Sequence, residues 1–197
     1  MNYKDVYHLP IIGDGGCFFH SIVTALYVKD NPTIDTINIL KKKYLDNIDN
    51  LSKKLRRKCI EWLKNNYDTY RINDTNILLK DEIQYEVNNE LDIAKENERN
   101  PKYKTVDGYL KYMKKLDSYA GQIEIYAICE LLNVNIKTYI KKGKTLHNIG
   151  LGYNTGNDND NILLYNNFKK NKNKGSYHFE TLILKNKIQE NISKNKK

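Results

Sequence analysis

Long hydrophobic runs are missing from this sequence. Nothing in it approaches the roughly 20 consecutive apolar residues that a membrane-crossing helix needs, so no membrane partner is expected. Cysteine is scarce: Cys17, Cys59 and Cys129 are odd in number and widely spaced. That excludes a disulfide framework and points to a reducing compartment. The opening stretch, "MNYKDVYHLPIIGDGG", has no basic region followed by an apolar one. No secretory signal is therefore expected, and the expected location is the cytoplasm. Internal repeats are absent, as is any Pro/Gly/Ser linker long enough to separate two domains. Arginine is limited to Arg56, Arg57, Arg71 and Arg99.

What remains is a chain of 197 residues, 40% hydrophobic and 11% aromatic, enough for one domain with a core. Its formal charge is +9, carried mostly by lysine. Such a balance suits nucleic-acid binding. The lysines, however, are spread along a chain rich in Lys, Asn, Ile and Tyr, which reads as the drift of an AT-rich genome. A nucleic-acid partner is not expected.

The apolar spacing predicts helices over 17–28, 33–44, 50–67, 75–93, 106–116 and 122–132. In the third of these, Leu51, Leu55, Cys59, Trp62 and Leu63 form one stripe. Cys59 and Cys129 both fall among apolar neighbours and read as core thiols. From Val134 the period changes to two, giving strands over 134–140, 162–165 and 178–184. Residues 150–161 read as a turn-rich loop and 185–197 as a polar, Lys-rich tail or linker. Helices first and strands clustered late indicate an α+β fold.

The stretch "GDGGCFFHSI", residues 13–22, places Cys17 after two glycines and at the start of a helix. A thiol attacks as thiolate, and a helix N-terminus or a neighbouring imidazolium lowers its pKa from about 8.5 to roughly 3.5–7.5. Glycines give the backbone freedom and leave room for a carbonyl. Backbone N–H groups of Asp14, Gly15, Gly16 and Cys17 are the candidate oxyanion hole. The competing reading is a glycine-rich turn capped by a buried cysteine.

A nucleophile needs a base. In "GSYHFETLIL", residues 175–184, strand alternation sends His178 and Glu180 to one face and Phe179 to the core. A carboxylate beside an imidazole fixes its tautomer and leaves the other nitrogen for the thiol. The competing reading is a surface His–Glu pair. His8 precedes a proline, His147 reads as a loop residue, and His20 lies one turn after Cys17 on the same helix. No second close pair of ligands completes a zinc site with Cys17 and His20, so neither a metal nor a cofactor is expected.

These residues resemble a known family. "GDGGCFFHSI" is similar to the Asp-Gly-x-Cys box of the ovarian tumour (OTU) cysteine proteases, which are deubiquitinases, and "HFETLI" to their C-terminal His box. Residues 106–140 resemble the family's helix, Trp-Gly-Gly-like turn, helix and strand. The resemblance implies a papain-like OTU fold, a small central β-sheet flanked by helices, over residues 1–184. It implies Cys17 as nucleophile, His178 as general base, Asp14 as the box aspartate, and Glu180 where the family usually has Asp or Asn. Glutamate is one methylene longer and must fold back, leaving open whether Asp14 or a water shares the orienting task. "YAG", residues 119–121, departs from Trp-Gly-Gly. Tyr119, Gly121 and Tyr177 are candidate substrate contacts.

The implied reaction is hydrolysis of the isopeptide bond after the C-terminal glycine of ubiquitin, or of a ubiquitin-like modifier, through a thioester, by a monomer. Asp81, Glu82 and Glu86 are candidate guides for the basic ubiquitin tail, although a solvated helix face explains them as well. A virus or intracellular bacterium acting on a host's cytosol suits the composition. The alternative is a ubiquitin-binding pseudoenzyme on the same fold.

Overall fold

Alternating residues late in the chain make strands, and these gather with one early strand into a single sheet. The computed structural model describes residues 1–43, 45–72, 76–153, 161–167 and 178–194. In chain order the elements are β1 (Val6–Leu9), α1 (Cys17–Asp30), α2 (Ile34–Lys42), α3 (Asp46–Asn66), α4 (Leu79–Glu96), α5 (Val106–Met113) and α6 (Gln122–Leu132). There follow β2 (Asn135–Lys142), β3 (Thr145–Tyr153), β4 (Asn161–Asn166), β5 (Phe179–Leu184) and α7 (Lys185–Lys194). No helix among the described residues is long and apolar enough to cross a membrane.

The five strands run in the order β1-β5-β4-β2-β3. All neighbours are antiparallel except β4 and β2, which are parallel. α1 packs on β5 and β4, α6 on β2 and β3, and α3 covers both helices. This face carries the main core, including Phe18, Phe19, Ile22, Leu63, Ile128, Leu164 and Phe179. The opposite face buries a smaller cluster of Val6, Leu146, Leu163 and Leu182, flanked by Tyr3, Tyr139 and Tyr165. The α+β expectation thus takes the form of a helix-flanked sheet.

Four local readings are corrected. β1 arises where only an N-terminal segment was expected, because it is short and gains its partner from the far end of the chain. β3 extends over His147 and into the expected 150–161 loop, of which residues 154–160 lie outside the described residues. On α3, Leu51 is 45% exposed, whereas Ile48, Ser52, Leu55, Arg56, Cys59 and Leu63 face inward. Residues 185–194, expected as a polar stretch without regular structure, form a helix that buries Ile188.

Candidate active site

Cys17 is the first residue of α1, as the glycine-rich turn before it suggested. Its sulfur meets the backbone N–H groups of Phe18 and Phe179, both of which favour the thiolate. Burial is the larger effect. Cys17 is 1% exposed, and loss of hydration pushes its thiol up to about 11 despite those N–H donors. The expectation of a lowered pKa is therefore overturned for this state of the molecule: desolvation outweighs the helix terminus.

The glycines before it are needed for space more than for dihedral freedom. Gly16 has φ −79° and ψ −10°. A Cβ on Gly15 would fall 2.1 Å from the carbonyl carbon of Asp117, and one on Gly16 2.9 Å from Cε1 of His20. The box aspartate holds this turn. Asp14 Oδ1 accepts the Gly16 N–H at 2.9 Å and faces His20 Nδ1 at 3.8 Å. Asp14 makes no hydrogen bond to His178 among the described residues, so it does not share in orienting that imidazole. Of the four expected oxyanion donors, three N–H groups are already engaged: Asp14 to Ile12 O, Gly16 to Asp14, and Cys17 to Asp14 O. Gly15 N–H is the donor that makes no hydrogen bond among the described residues.

His178, immediately before β5, and Glu180 within it lie against each other, and Phe179 points to the core against Phe18, ring centroids 5.4 Å apart. Glu180 does reach the imidazole: Oε1 lies 3.2 Å from His178 Nε2. A carboxylate only accepts, so Nε2 carries the hydrogen and Nδ1 is left as the basic nitrogen. Nδ1 is buried and makes no hydrogen bond among the described residues. It lies under the turn, 3.7 Å from where a Cβ on Gly13 would sit. The fold thus brings the Cys17 sulfur beside the residue that follows His178. Among the described residues the pair is not hydrogen-bonded, and its surroundings are closed: His178 is 0% and Glu180 1% exposed. The expectation that both look outward fails because His8 of β1 lies against Glu180 and the turn at Gly13 lies against His178.

Two residues of this site escaped sequence reasoning. His8, on β1, places Nε2 2.6 Å from Glu180 Oε2, the oxygen not facing His178. Only the pairing of β1 with β5 reveals this, and a four-residue strand leaves little periodic signal. Arg56, on α3, is 1% exposed and stacks on the Phe19 ring at 4.6 Å. Its guanidinium donates to Gly15 O at 2.7 Å and to the carbonyls of Met113, Lys115 and Ser118 at 3.1, 2.9 and 2.9 Å. α5 ends at Met113 rather than 116, and its orphan carbonyls find their donor here. Arg56 therefore ties the turn before Cys17 to the 113–118 segment. An arginine inside an otherwise apolar helix stripe was the available signal.

The candidate substrate contacts divide. Tyr119 and Gly121 follow the segment that Arg56 holds and are half-buried. Gly121 N–H caps α6 by donating to Glu124 Oε2 at 2.8 Å, and a Cβ there would meet nothing within 4 Å. Asp81, Glu82 and Glu86 lie on α4, whose main contacts are α5 and α6 rather than α1 or β5. Glu86 accepts from Tyr103 O–H at 3.0 Å, a structural use. Tyr177 lies outside the described residues. Among the described residues, no three His, Cys, Asp or Glu side chains are grouped to hold a metal ion.

Comparison with known proteins identifies the fold and the family. The sequence profile of OTU-like cysteine proteases matches residues 12–179. No curated protein matches the chain. Among solved structures, the viral OTU domain protease of Taggert virus is similar at TM-score 0.55 and 13% identity, over 94% of this chain and 84% of that one. That of Qalyub virus is similar at TM-score 0.54 and 16% identity, over 93% and 88%. The Hazara virus OTU bound to ubiquitin is similar at TM-score 0.52 and 14% identity, over 93% and 85%. At these identities the structural likeness establishes the fold. The profile match, spanning Cys17 to Phe179, establishes the family: this chain belongs to the OTU-like cysteine proteases.

Proposed function

We propose that the chain is a deubiquitinase that cleaves the bond following the C-terminal glycine of ubiquitin or a ubiquitin-like modifier. The observation that carries this is the placement of the Cys17 thiol against Phe179 N–H, with the adjacent His178 held by Glu180. The ubiquitin bound to the structurally similar Hazara virus domain supports the choice of substrate. Cys17 attacks the terminal carbonyl and passes its proton to His178 Nδ1. The negative oxygen of the tetrahedral intermediate takes the Gly15 N–H. The intermediate collapses to a thioester as the imidazolium protonates the departing lysine amine. Water, losing a proton to His178, then frees the C-terminal carboxyl and restores the thiol.

The buried thiol means that substrate entry moves the 13–16 turn away from His178. A diglycine tail is slim enough to lie where that turn makes way. All three thiols are free, which suits a reducing cytoplasm. The closed site also favours a second reading, a ubiquitin-binding protein without turnover. Hydrolysis of a panel of di-ubiquitins of defined linkage separates them. The wild type is expected to cut at least one linkage, with Cys17→Ala and His178→Ala inactive. Binding of ubiquitin without cleavage by the wild type supports the second reading.

A further inference from the structure

We propose that His8 is a positioning residue that clamps Glu180 in the orientation His178 needs. The inference rests on the protease reading of this site and extends it. Glu180 has one more rotatable bond than the residues its position usually carries, and freezing each such bond costs free energy. The outer face of the sheet supplies the restraint. In the register of β1 against β5, His8 pairs with Leu182 and Val6 with Leu184, so His8 projects on the face that carries Glu180. Tyr165 of β4 lies directly opposite Glu180.

The hydrogen bonds then form a directed chain. Glu180 Oε2 accepts from His8 Nε2 at 2.6 Å, the shorter of its two imidazole contacts. Because that nitrogen donates, His8 Nδ1 is the acceptor, and Tyr3 O–H donates to it at 2.7 Å. The tyrosine thus fixes the tautomer that the clamp requires. The His8 ring is wedged edge-on against Tyr165, centroids 4.9 Å apart. Asn167 Nδ2 adds a longer contact to the same Glu180 oxygen at 3.4 Å. Lys141 of β2 lies 3.9 Å from the centre of the Tyr3 ring and holds it over the strand edge. With Oε2 committed in this way, Oε1 is left to His178. The Glu180 carboxylate is shared by two histidines, one basic toward the thiol and one purely structural in its bonding. His8 touches neither substrate nor sulfur.

The test uses the intact chain and two independent readouts. Proton spectra of the wild type should show two low-field imidazole N–H resonances, one from each histidine bonded to Glu180. His8→Leu should lose its own resonance and bring the His178 resonance into exchange with water. His8→Gln, whose amide nitrogen sits near the original Nε2, should keep the His178 resonance sharp. In steady-state cleavage, His8→Leu should lower kcat about tenfold with KM unchanged, the order expected for a partner that orients a reacting group. His8→Gln should recover most of that loss. His8→Leu combined with Glu180→Ala should be no slower than Glu180→Ala alone. An unchanged His178 resonance in His8→Leu, or losses that multiply in the double variant, would overturn the clamp. If the wild type cleaves nothing yet the resonances behave as stated, the protease reading fails and the clamp stands. Tyr3→Phe gives a variant that leaves the His8 ring in place: a sharp His8 resonance at its wild-type position there would contradict the tautomer assignment.

Discussion

Cys17 gains a helix N-terminus and loses water in the same step of folding, and the second effect is larger. Its thiol, pushed up to about 11 by burial, stays protonated at neutral pH in the free protein. Reaction with a small alkylating agent should therefore climb by about tenfold per pH unit between pH 6 and 9, tracking the thiolate fraction. A rate already level below pH 8 would show instead a preformed thiolate–imidazolium pair. In the proposed reaction His178 is the base at the moment of attack. His178→Ala should reduce kcat by more than about a thousandfold, whereas Glu180→Ala, which leaves the base present but loosely held, should cost less. Near-equal losses would place Glu180 on a par with the base. That Cys17 starts a helix and that His178 and Glu180 lie together was legible in the sequence, because spacing on a helix start and on a strand fixes where such residues point. Their burial was not: it depends on what covers them, and β1, β4 and the 13–16 turn arrive from distant parts of the chain.

At the level of elements, α3 does more than supply an apolar stripe. Arg56 stands inside that stripe and satisfies the carbonyls left over at the end of α5, together with Gly15 O. Replacing it by methionine should lower unfolding stability by about 3 kcal/mol, since several buried acceptors lose a charged donor at once. Chemical denaturation measures this, and a loss below about 1 kcal/mol would contradict the assignment. Gly15→Ala should be similarly disruptive, because the added carbon meets the Asp117 backbone rather than a side chain that can turn aside. The helices of this region were readable from their 3.6-residue period, and α6 occupies the expected span of 122–132. The C-terminal end of α5 was not, since its last carbonyls are met by a buried guanidinium from another helix. β1 and β3 were missed for a related reason: a strand's existence depends on its partners, and both partners lie elsewhere in the sequence.

Across the whole molecule, sheet and helices divide the labour. The helix face of the sheet carries the core and fixes Cys17 through α1, while the opposite face carries His8, Glu180 and their tyrosines. Cys17 and His178 both lie at the sheet end where α1 begins and β5 starts. α7 belongs to this architecture, because Ile188 is buried in the main core. Ile188→Ala should cost about 3 kcal/mol of stability, the usual scale for emptying such a site. The family was recognisable from the Cys box, the His box and residues 106–140 between them taken together, since each of the three is local in sequence. The closure of the site is a property of the assembled fold. Its central claim is that Cys17, rather than either core cysteine, is the nucleophile toward a ubiquitin-type C-terminus. Incubation with ubiquitin bearing a C-terminal electrophile, followed by mass spectrometry of the digested adduct, tests it directly. One ubiquitin attached to the peptide containing Cys17, and none in Cys17→Ala, is the expected result; an adduct on Cys59 or Cys129, or one that survives Cys17→Ala, would contradict it.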